Sequence, residues 1–142
     1  GTNGQTKCLH TQKACDPAEE IGKCDVTYHN GQDIPGMAAH LLKLKEEGLR
    51  FEGIITSDDE LALGAVKFAR LASLRIPDDL SVIGYSNSML ATSGIMELTS
   101  VDIKLEKICQ HLISSLLRVF DGEEIPQQAV FNGELIERET TK

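Results

Sequence analysis

The sequence lacks several features that would place it in a common class of proteins. None of its apolar runs approaches the length of a transmembrane helix, and no basic amphipathic helix suits an anionic membrane surface. Its start, Gly1 to Lys7, is polar and lacks a signal-peptide pattern. The 14 Lys and Arg are outnumbered by 22 Asp and Glu, so the formal net charge is −8. Nucleic-acid affinity depends on cations that meet phosphates, so we expect no DNA binding by this chain itself. A cytoplasmic location without membrane attachment is the corresponding expectation.

Cysteine is also scarce, and the spacing of the four residues argues against special roles. A chain of this size can build a core without a disulfide framework. A zinc site made of Cys8, His10, Cys15 and Cys24 lacks the close CxxC pairing that structural zinc sites favour. The fourth cysteine, Cys109, falls on the apolar side of a predicted helix and is expected in the core. We therefore predict no metal and no cofactor.

Sequence motifs of common enzymes are absent as well. The chain contains no Gly-rich phosphate loop, no GxSxG elbow and no HExxH helix. One acidic run, Asp58, Asp59 and Glu60, could bind Mg²⁺ for phosphoryl transfer, as the acidic pocket of a receiver domain does. A receiver domain, however, carries its paired acids after the first strand and its phospho-acceptor after the third, an order that this chain does not follow. We expect that the chain is not an enzyme.

What the sequence does contain is organised around the stretch from Phe51 to Tyr85. Three elements are predicted there: a strand over Phe51 to Thr56, a helix over Leu61 to Leu74 and a strand over Leu80 to Tyr85. Two strands joined through a helix form a right-handed βαβ unit with parallel strands. Ligands of such sheets gather at the carboxyl ends of the strands. The turn after Thr56 and the loop after Tyr85 are therefore the places to look for a site.

Further elements flank this unit, whereas residues 1–24 carry no clear pattern. The predicted set comprises a strand over Asp25 to Tyr28, a helix opened by Pro35 and Gly36 and ended by Gly48, a strand over Leu98 to Val101, a helix over Lys104 to Phe120, and extended segments over Ala129 to Asn132 and Leu135 to Glu139. The last helix has the most regular apolar stripe in the chain. Alternating strands and helices predict an α/β fold, in which helices sandwich a mainly parallel sheet in three αβα layers.

Four blocks in this order resemble the lac-repressor family of bacterial transcription regulators. They are GIITSDDELALG over Gly53 to Gly64, LRIPDDLSVIGY over Leu74 to Tyr85, LTSV over Leu98 to Val101, and ELIER over Glu134 to Arg138. The resemblance implies a periplasmic-binding-protein-like fold of type I. It implies that residues 1–142 are the C-terminal subdomain of an effector-binding region. The DNA-binding head and the N-terminal subdomain of such a regulator are not in this chain.

The same resemblance implies where a sugar-like effector binds. The polar residue with which the family contacts its effector at the acidic turn falls on Asp58. From the residues alone, one carboxylate of this turn caps the following helix, and we assign the cap to Asp59, which leaves Asp58 for ligand hydroxyl groups. The acidic contact of the family after the second strand falls on Ser86, followed by Asn87, both neutral. An aromatic residue of the family falls near His29. The predicted ligand-binding set is therefore Asp58, Ser86, Asn87 and His29.

The helix over Leu61 to Leu74 is apolar on two sides. Its inner face holds Leu61, Ala65, Phe68, Ala69 and Ala72, and its opposite side holds Leu63, Val66 and Leu74, flanked by Lys67 and Arg70. A helix of this kind must bury both sides, either under another helix of the same domain or against a second subunit. We favour the subunit contact, because the resemblance also implies a homodimer paired through this helix. Operator DNA would be bound only by the missing head domain.

One alternative shares the predicted fold. A periplasmic-type sugar-binding protein has the same architecture, and a trimmed mature chain of that type would also lack a signal sequence. Upstream sequence that contains either a helix-turn-helix or a signal peptide would separate the two hypotheses.

Overall fold

The computed structural model of the protein describes residues 33–142. Its helices are α1 (Ile34–Glu46), α2 (Asp59–Leu71), α3 (Leu90–Ser93) and α4 (Leu105–Phe120). Its strands are β1 (Gly53–Ile55), β2 (Ser81–Tyr85), β3 (Thr99–Asp102) and β4 (Glu134–Ile136). The predicted strand over Asp25 to Tyr28, the ligand candidate His29 and the three N-terminal cysteines lie outside the described residues.

The four strands form one sheet in the order β1-β2-β3-β4. The first three run parallel, with Ile54 beside Val82 and Gly84 beside Ser100, and β4 returns antiparallel to β3. This topology confirms the predicted α/β fold with a mainly parallel sheet. Of the two extended segments predicted near the C-terminus, Leu135 to Glu139 overlaps β4 (Glu134–Ile136), and Ala129 to Asn132 is not part of the sheet.

Helix α1 begins at a side-chain cap and packs along α2. The carboxylate of Asp33 accepts a 2.9 Å hydrogen bond from the backbone N–H of Gly36, which satisfies one of the free donors of the first turn. Met37 and Leu41 are buried. A Cβ atom placed on Gly64 of α2 would lie 2.5 Å from the Cβ of Met37, so the glycine allows the two helices to approach closely.

Helix α2 lies between α1 and the sheet and carries the centre of the core. Ala65, Phe68 and Ala69 are completely or almost completely buried, which confirms the predicted inner face. The Phe68 ring meets the Phe51 ring edge-on at a centroid distance of 5.6 Å, a favoured geometry for aromatic pairs. On the other face of the sheet, Ile55 is 78% exposed, whereas its neighbour Ile83 on β2 is half-buried.

The last residues tie together the amino ends of two strands. The Thr140 hydroxyl donates to the carbonyl of Val82 at 2.7 Å and accepts from the backbone N–H of Thr99 at 2.8 Å. The backbone N–H of Val82 in turn donates to the Thr140 carbonyl at 2.9 Å. Thr140 is fully buried, so the C-terminal segment belongs to the core of the described region.

Helix α4 differs from the other long helices because none of its residues is buried. Leu112, Ile113, Leu116 and Leu117 are all more than half exposed, and Phe120 is 77% exposed. Cys109 is exposed as well, so its predicted position in the core was wrong. Periodicity identifies an apolar face without identifying what covers it. No helix within residues 33–142 is long and apolar enough to cross a membrane.

Candidate functional site

A cleft of about 430 Å³ opens at the carboxyl ends of β2 and β3. It is lined by the loop after β2 and by the residues that join β3 to the first turn of α4, namely Ser86, Asn87, Ser88, Asp102, Ile103, Lys104, Leu105, Glu106 and Lys107. The carboxyl edge of a parallel sheet is the usual place for a ligand, because strands end and new elements begin there. The cleft thus coincides with one of the two predicted places.

The acidic turn after β1 does not use its carboxylates as predicted. Asp58 is the cap of α2, because one of its carboxylate oxygens accepts from the backbone N–H of Leu61 at 2.8 Å. The assignment of this cap to Asp59 was therefore wrong. Asp58 has the extended backbone (φ −157°) that a cap residue requires, whereas Asp59 is already the first residue of the helix. The second carboxylate oxygen of Asp58 lies 3.4 Å from the Ser57 hydroxyl, which leaves it capacity to accept further bonds.

Asp59 is instead a buried carboxylate that joins three elements. Its side chain is 1% exposed. One oxygen accepts from the Ser100 hydroxyl of β3 at 2.6 Å. The other accepts from the backbone N–H and the hydroxyl of Ser88 at 2.6 and 2.8 Å, with a longer contact of 3.4 Å from the Ser86 hydroxyl. A buried charge of this kind is tolerated because several donors surround it.

Gly84 makes room for this carboxylate. A Cβ atom at Gly84 would lie 2.3 Å from an Asp59 oxygen and 3.4 Å from the Cβ of Ala62. Real Cβ atoms essentially never come that close to another heavy atom. The glycine inside β2 therefore serves a close approach rather than a turn.

The loop after β2 holds two consecutive non-glycine residues in the left-handed region of backbone space. Ser86 has φ +95° and Asn87 has φ +49°, and such conformations cost about 1–3 kcal/mol each. Hydrogen bonds hold them in place: the Ser86 N–H donates to the Val101 carbonyl at 2.9 Å, and the Asn87 N–H donates to the Ser100 hydroxyl at 3.0 Å. Strain of this kind is common where a ligand binds.

The Asn87 side chain is fixed from the C-terminal segment. Its amide oxygen accepts from the Arg138 guanidinium at 2.7 Å, and a second guanidinium nitrogen of Arg138 donates to the Leu98 carbonyl at 2.7 Å. Asn87 therefore enters the cleft in a fixed orientation.

A charged group lies beside Asn87 at the end of β3. The backbone N–H of Lys104 donates to Asp102 at 2.7 Å and its ammonium donates at 3.3 Å. The backbone hydrogen bond is the main cause of a lowered pKa at Asp102, with smaller contributions from the Lys104 ammonium and the Asn87 amide. The Lys104 ammonium also contacts Glu134, which is the main cause of its raised pKa. The cleft thus contains an ionised carboxylate whose charge a lysine balances.

The structure brings only part of the predicted ligand set into this cleft. Ser86 and Asn87 line it, whereas Asp58 is not among its lining residues. Sequence reasoning missed Asp102, Lys104 and the supporting Arg138. Asp102 ends β3, so the rule that selected the loop after Tyr85 could have selected it too. Within residues 33–142, no group of three or more His, Cys, Asp or Glu side chains is placed to hold a metal ion.

The residues predicted for a subunit contact lie along α2 and just beyond its end. Leu63 and Val66 are half-buried and pack against the edge of the core, Lys67 is half-buried and Arg70 is exposed. A Cβ atom at Gly94 would touch Leu63 at 3.4 Å. The next residue, Ile95, is fully exposed, so an apolar surface continues from Leu63 into the segment after α3.

Leu74 lies apart from this surface. It follows the end of α2 at Leu71 and lines a second cleft of about 440 Å³ with Gly48, Phe51 and residues near them. The predicted stripe therefore divides into a part around Leu63 and a part around Leu74.

Comparisons with known proteins agree on one family. The model of the periplasmic binding protein-like domain matches residues 11–141. An HTH-type transcriptional regulator from Lachnoclostridium phytofermentans is 41% identical over 101 residues, which are 71% of this chain and 30% of that protein. The HTH-type transcriptional regulator AscG from Escherichia coli is 30% identical over 112 residues, which are 78% of this chain and 33% of that protein. The chain thus spans about a third of the length of these relatives.

Solved structures agree with this result. The crystal structure of the Escherichia coli transcriptional repressor AscG superposes with a TM-score of 0.75 at 25% identity, covering 89% of this chain and 47% of that chain. A LacI-type transcription regulator from Bifidobacterium animalis superposes with a TM-score of 0.82 at 24% identity, covering 94% of this chain and 50% of that chain. The second likeness shows the fold, and both confirm the predicted periplasmic-binding-protein-like architecture.

Proposed function

Since the chain belongs to the family of periplasmic binding protein-like domains, we propose that it is the C-terminal subdomain of the effector-binding region of a bacterial transcription regulator. The relatives support this proposal, because they are regulators rather than enzymes or transport proteins. In this role the chain binds a sugar or a related polyol, pairs with a second copy, catalyses no reaction and acts in the cytoplasm. Operator DNA is bound by a head domain that lies outside this chain.

The observation that carries the proposal is the polar cleft at the carboxyl edge of the sheet. The Ser86 hydroxyl, the Asn87 amide and the Asp102 carboxylate all line it. Hydroxyl and amide groups both donate and accept hydrogen bonds, and a carboxylate accepts several, which is the combination that sugar hydroxyl groups require. Ile103 and Leu105 line the same cleft and offer apolar surface to the carbon face of a ring.

One further contact comes from Asp58, which does not line the cleft. We assign it to the ligand through the carboxylate oxygen that does not cap α2. His29 lies outside the described residues and is proposed as a contact from the resemblance alone.

Regulation follows from a ligand that contacts this subdomain and another part of the protein at once. Such a ligand favours the arrangement in which both sets of contacts can form, and it shifts the population towards that arrangement by its difference in affinity. The spacing of paired DNA-reading heads would change with it. Because the chain supplies only part of the contacts, its own affinity for the sugar is weak.

The test is a calorimetric and NMR screen of mono- and disaccharides against the chain, with Ser86→Ala as the main variant. Ser86 makes only a 3.4 Å side-chain contact, so its removal changes the fold little. We expect Ser86→Ala to weaken saccharide binding by about 0.5–1.5 kcal/mol, the net contribution of one hydrogen bond. Ser114→Ala on exposed α4 is the matched control and should bind as the unmodified chain does. Equal affinity for all three proteins would refute the cleft as the site.

The subunit contact is proposed around Leu63, Val66, Lys67 and Arg70, with Leu74 at its far end. Leu63 and Val66 are only half-buried, and the fully exposed Ile95 extends the apolar surface beside Leu63. Apolar surface rimmed by charges is typical of an interface. Helix α4 also exposes apolar residues, so the test is made in a Leu116→Arg background that places a charge on α4. We expect this chain to sediment as a dimer.

Adding Leu63→Arg to that background should give a folded monomer, because an unpaired charge in an interface core is strongly unfavourable. Circular dichroism would verify the fold of both variants. If the Leu116→Arg variant is already a monomer, or if the double variant is still a dimer, this interface is contradicted.

A further inference from the structure

The ligand cleft depends on a loop whose conformation is not intrinsic to its sequence. Ser86 and Asn87 are both left-handed, although neither is glycine. Such a conformation persists only when its surroundings enforce it. Groups outside these two residues must therefore hold the left-handed conformation in place.

One carboxylate contacts the loop both directly and through a neighbouring strand. Asp59 accepts from the N–H and hydroxyl of Ser88, directly after the two left-handed residues. It also accepts from the Ser100 hydroxyl, and the Ser100 oxygen in turn accepts from the Asn87 N–H. Asp59 therefore binds the N–H and hydroxyl of Ser88 directly and holds the N–H of Asn87 through Ser100.

Asp59 itself cannot shift easily. It is the first residue of α2, 1% exposed, and its carboxylate fills the space above Gly84. Burial makes loss of its partners costly, because water cannot replace them.

We propose that Asp59 is a positioning residue of the ligand cleft: it fixes Ser86, Asn87 and Ser88 in the conformation that presents Ser86 and Asn87 to the ligand, without touching the ligand itself. This inference rests on the proposed function for its ligand. The loop conformation can be tested without any ligand.

Amide hydrogen exchange of the full chain tests the loop. Asp59→Ala should raise the exchange rates of the Asn87 and Ser88 amides by at least about tenfold more than that of Leu41 in α1, because the loop opens locally. Asp59→Asn keeps one acceptor oxygen and should give an intermediate increase. Asp33→Ala, which removes the cap of α1, is the matched control. It should not raise the exchange rates of the Asn87 and Ser88 amides more than that of Leu41.

Gly84→Ala provides a second route to the same state. The added methyl group displaces the Asp59 carboxylate while leaving the residue in place. It should therefore reproduce the faster exchange of Asn87 and Ser88. Unchanged relative protection of these amides in both Asp59→Ala and Gly84→Ala would overturn the inference, as would a loss spread evenly over the chain.

Saccharide titration at millimolar concentration tests the positioning role. The faster the Asn87 and Ser88 amides of a variant exchange, the more weakly that variant should bind the saccharide. Asp33→Ala should bind it as the unmodified chain does. A loosened loop with unchanged affinity would show that Asp59 is merely structural. If the unmodified chain binds no saccharide, the proposed function fails, while the exchange rates still decide whether Asp59 holds the loop.

Discussion

Helices α2 and α4 are both amphipathic, yet the described chain buries only α2. Helix α2 lies between the sheet and α1, and Phe68 is inaccessible to solvent. Helix α4 has the more regular apolar stripe of the two, and none of its residues is buried. An apolar face shows that a helix needs a partner, whereas the location of that partner is a property of the whole assembly. The partner of the α4 face is therefore to be sought outside residues 33–142.

The largest difference between the two helices is expected when one phenylalanine in each is truncated. Phe68→Ala should lower the free energy of unfolding by about 3–5 kcal/mol, because it leaves a cavity in a packed core. Phe120→Ala, at a residue that is 77% exposed, should change it by less than about 0.5 kcal/mol. Denaturant titration of both variants measures the difference. Similar losses would mean that α4 is packed as firmly as α2.

A smaller effect is expected where α2 meets α1. Gly64→Ala favours the helix by about 1 kcal/mol through propensity alone. The new methyl group, however, meets the Met37 side chain at 2.5 Å, and overpacking of this kind costs about 1–3 kcal/mol. We therefore expect net destabilisation in thermal or chemical unfolding. Gln110→Ala, on exposed α4, is the control and should be nearly neutral, and a stabilised Gly64→Ala would show that the two helices can separate freely.

The smallest effect concerns the ion pairs near the carboxyl ends of the two helices. The Arg75 guanidinium donates to both carboxylate oxygens of Asp79, at 2.7 and 2.8 Å. The Arg118 guanidinium donates to one carboxylate oxygen of Glu123, at 2.7 Å. The side-chain hydrogen bond from Arg75 is the main cause that lowers the pKa of Asp79 from 3.8 to about 2.

A group with a lowered pKa stabilises the fold fully above its ordinary pKa and loses that contribution as the pH falls through its folded value. Asp79→Asn should thus lower the melting temperature slightly at neutral pH. The difference should shrink below the ordinary pKa of 3.8 and disappear near the folded pKa of about 2. A difference that does not vary with pH would mean that the pair contributes nothing through charge.

Most helices and strands were predicted from the sequence, because apolar periodicity and turn residues are local to each element. The βαβ unit around α2 was confirmed, with the ends of its elements shifted by at most three residues. Helix α3 was missed, since its four residues lie in a polar loop and have no apolar period. The bond between Thr140 and Val82 joins distant parts of the chain, and no periodicity reports such a contact.

The position of the cleft was easier to predict than the hydrogen bonds around it. The carboxyl-end rule selected the loop with Ser86 and Asn87, and both residues line the cleft. The helix cap was assigned to Asp59 instead of Asp58, because either carboxylate can cap a helix and only the tertiary partners of Asp59 decide between them. Gly84 was the available signal: a glycine inside an apolar strand suggests a close approach by another group.

The most direct test of the account is to map saccharide binding on the isotope-labelled chain by NMR. We predict that the amide signals of Ser86, Asn87 and Ser88 and of the residues from Asp102 to Lys107 shift together, while those of Leu41 in α1 and Leu116 on α4 do not. Saccharide-induced shifts confined to α1, or to the exposed face of α4, would contradict the assignment of the cleft.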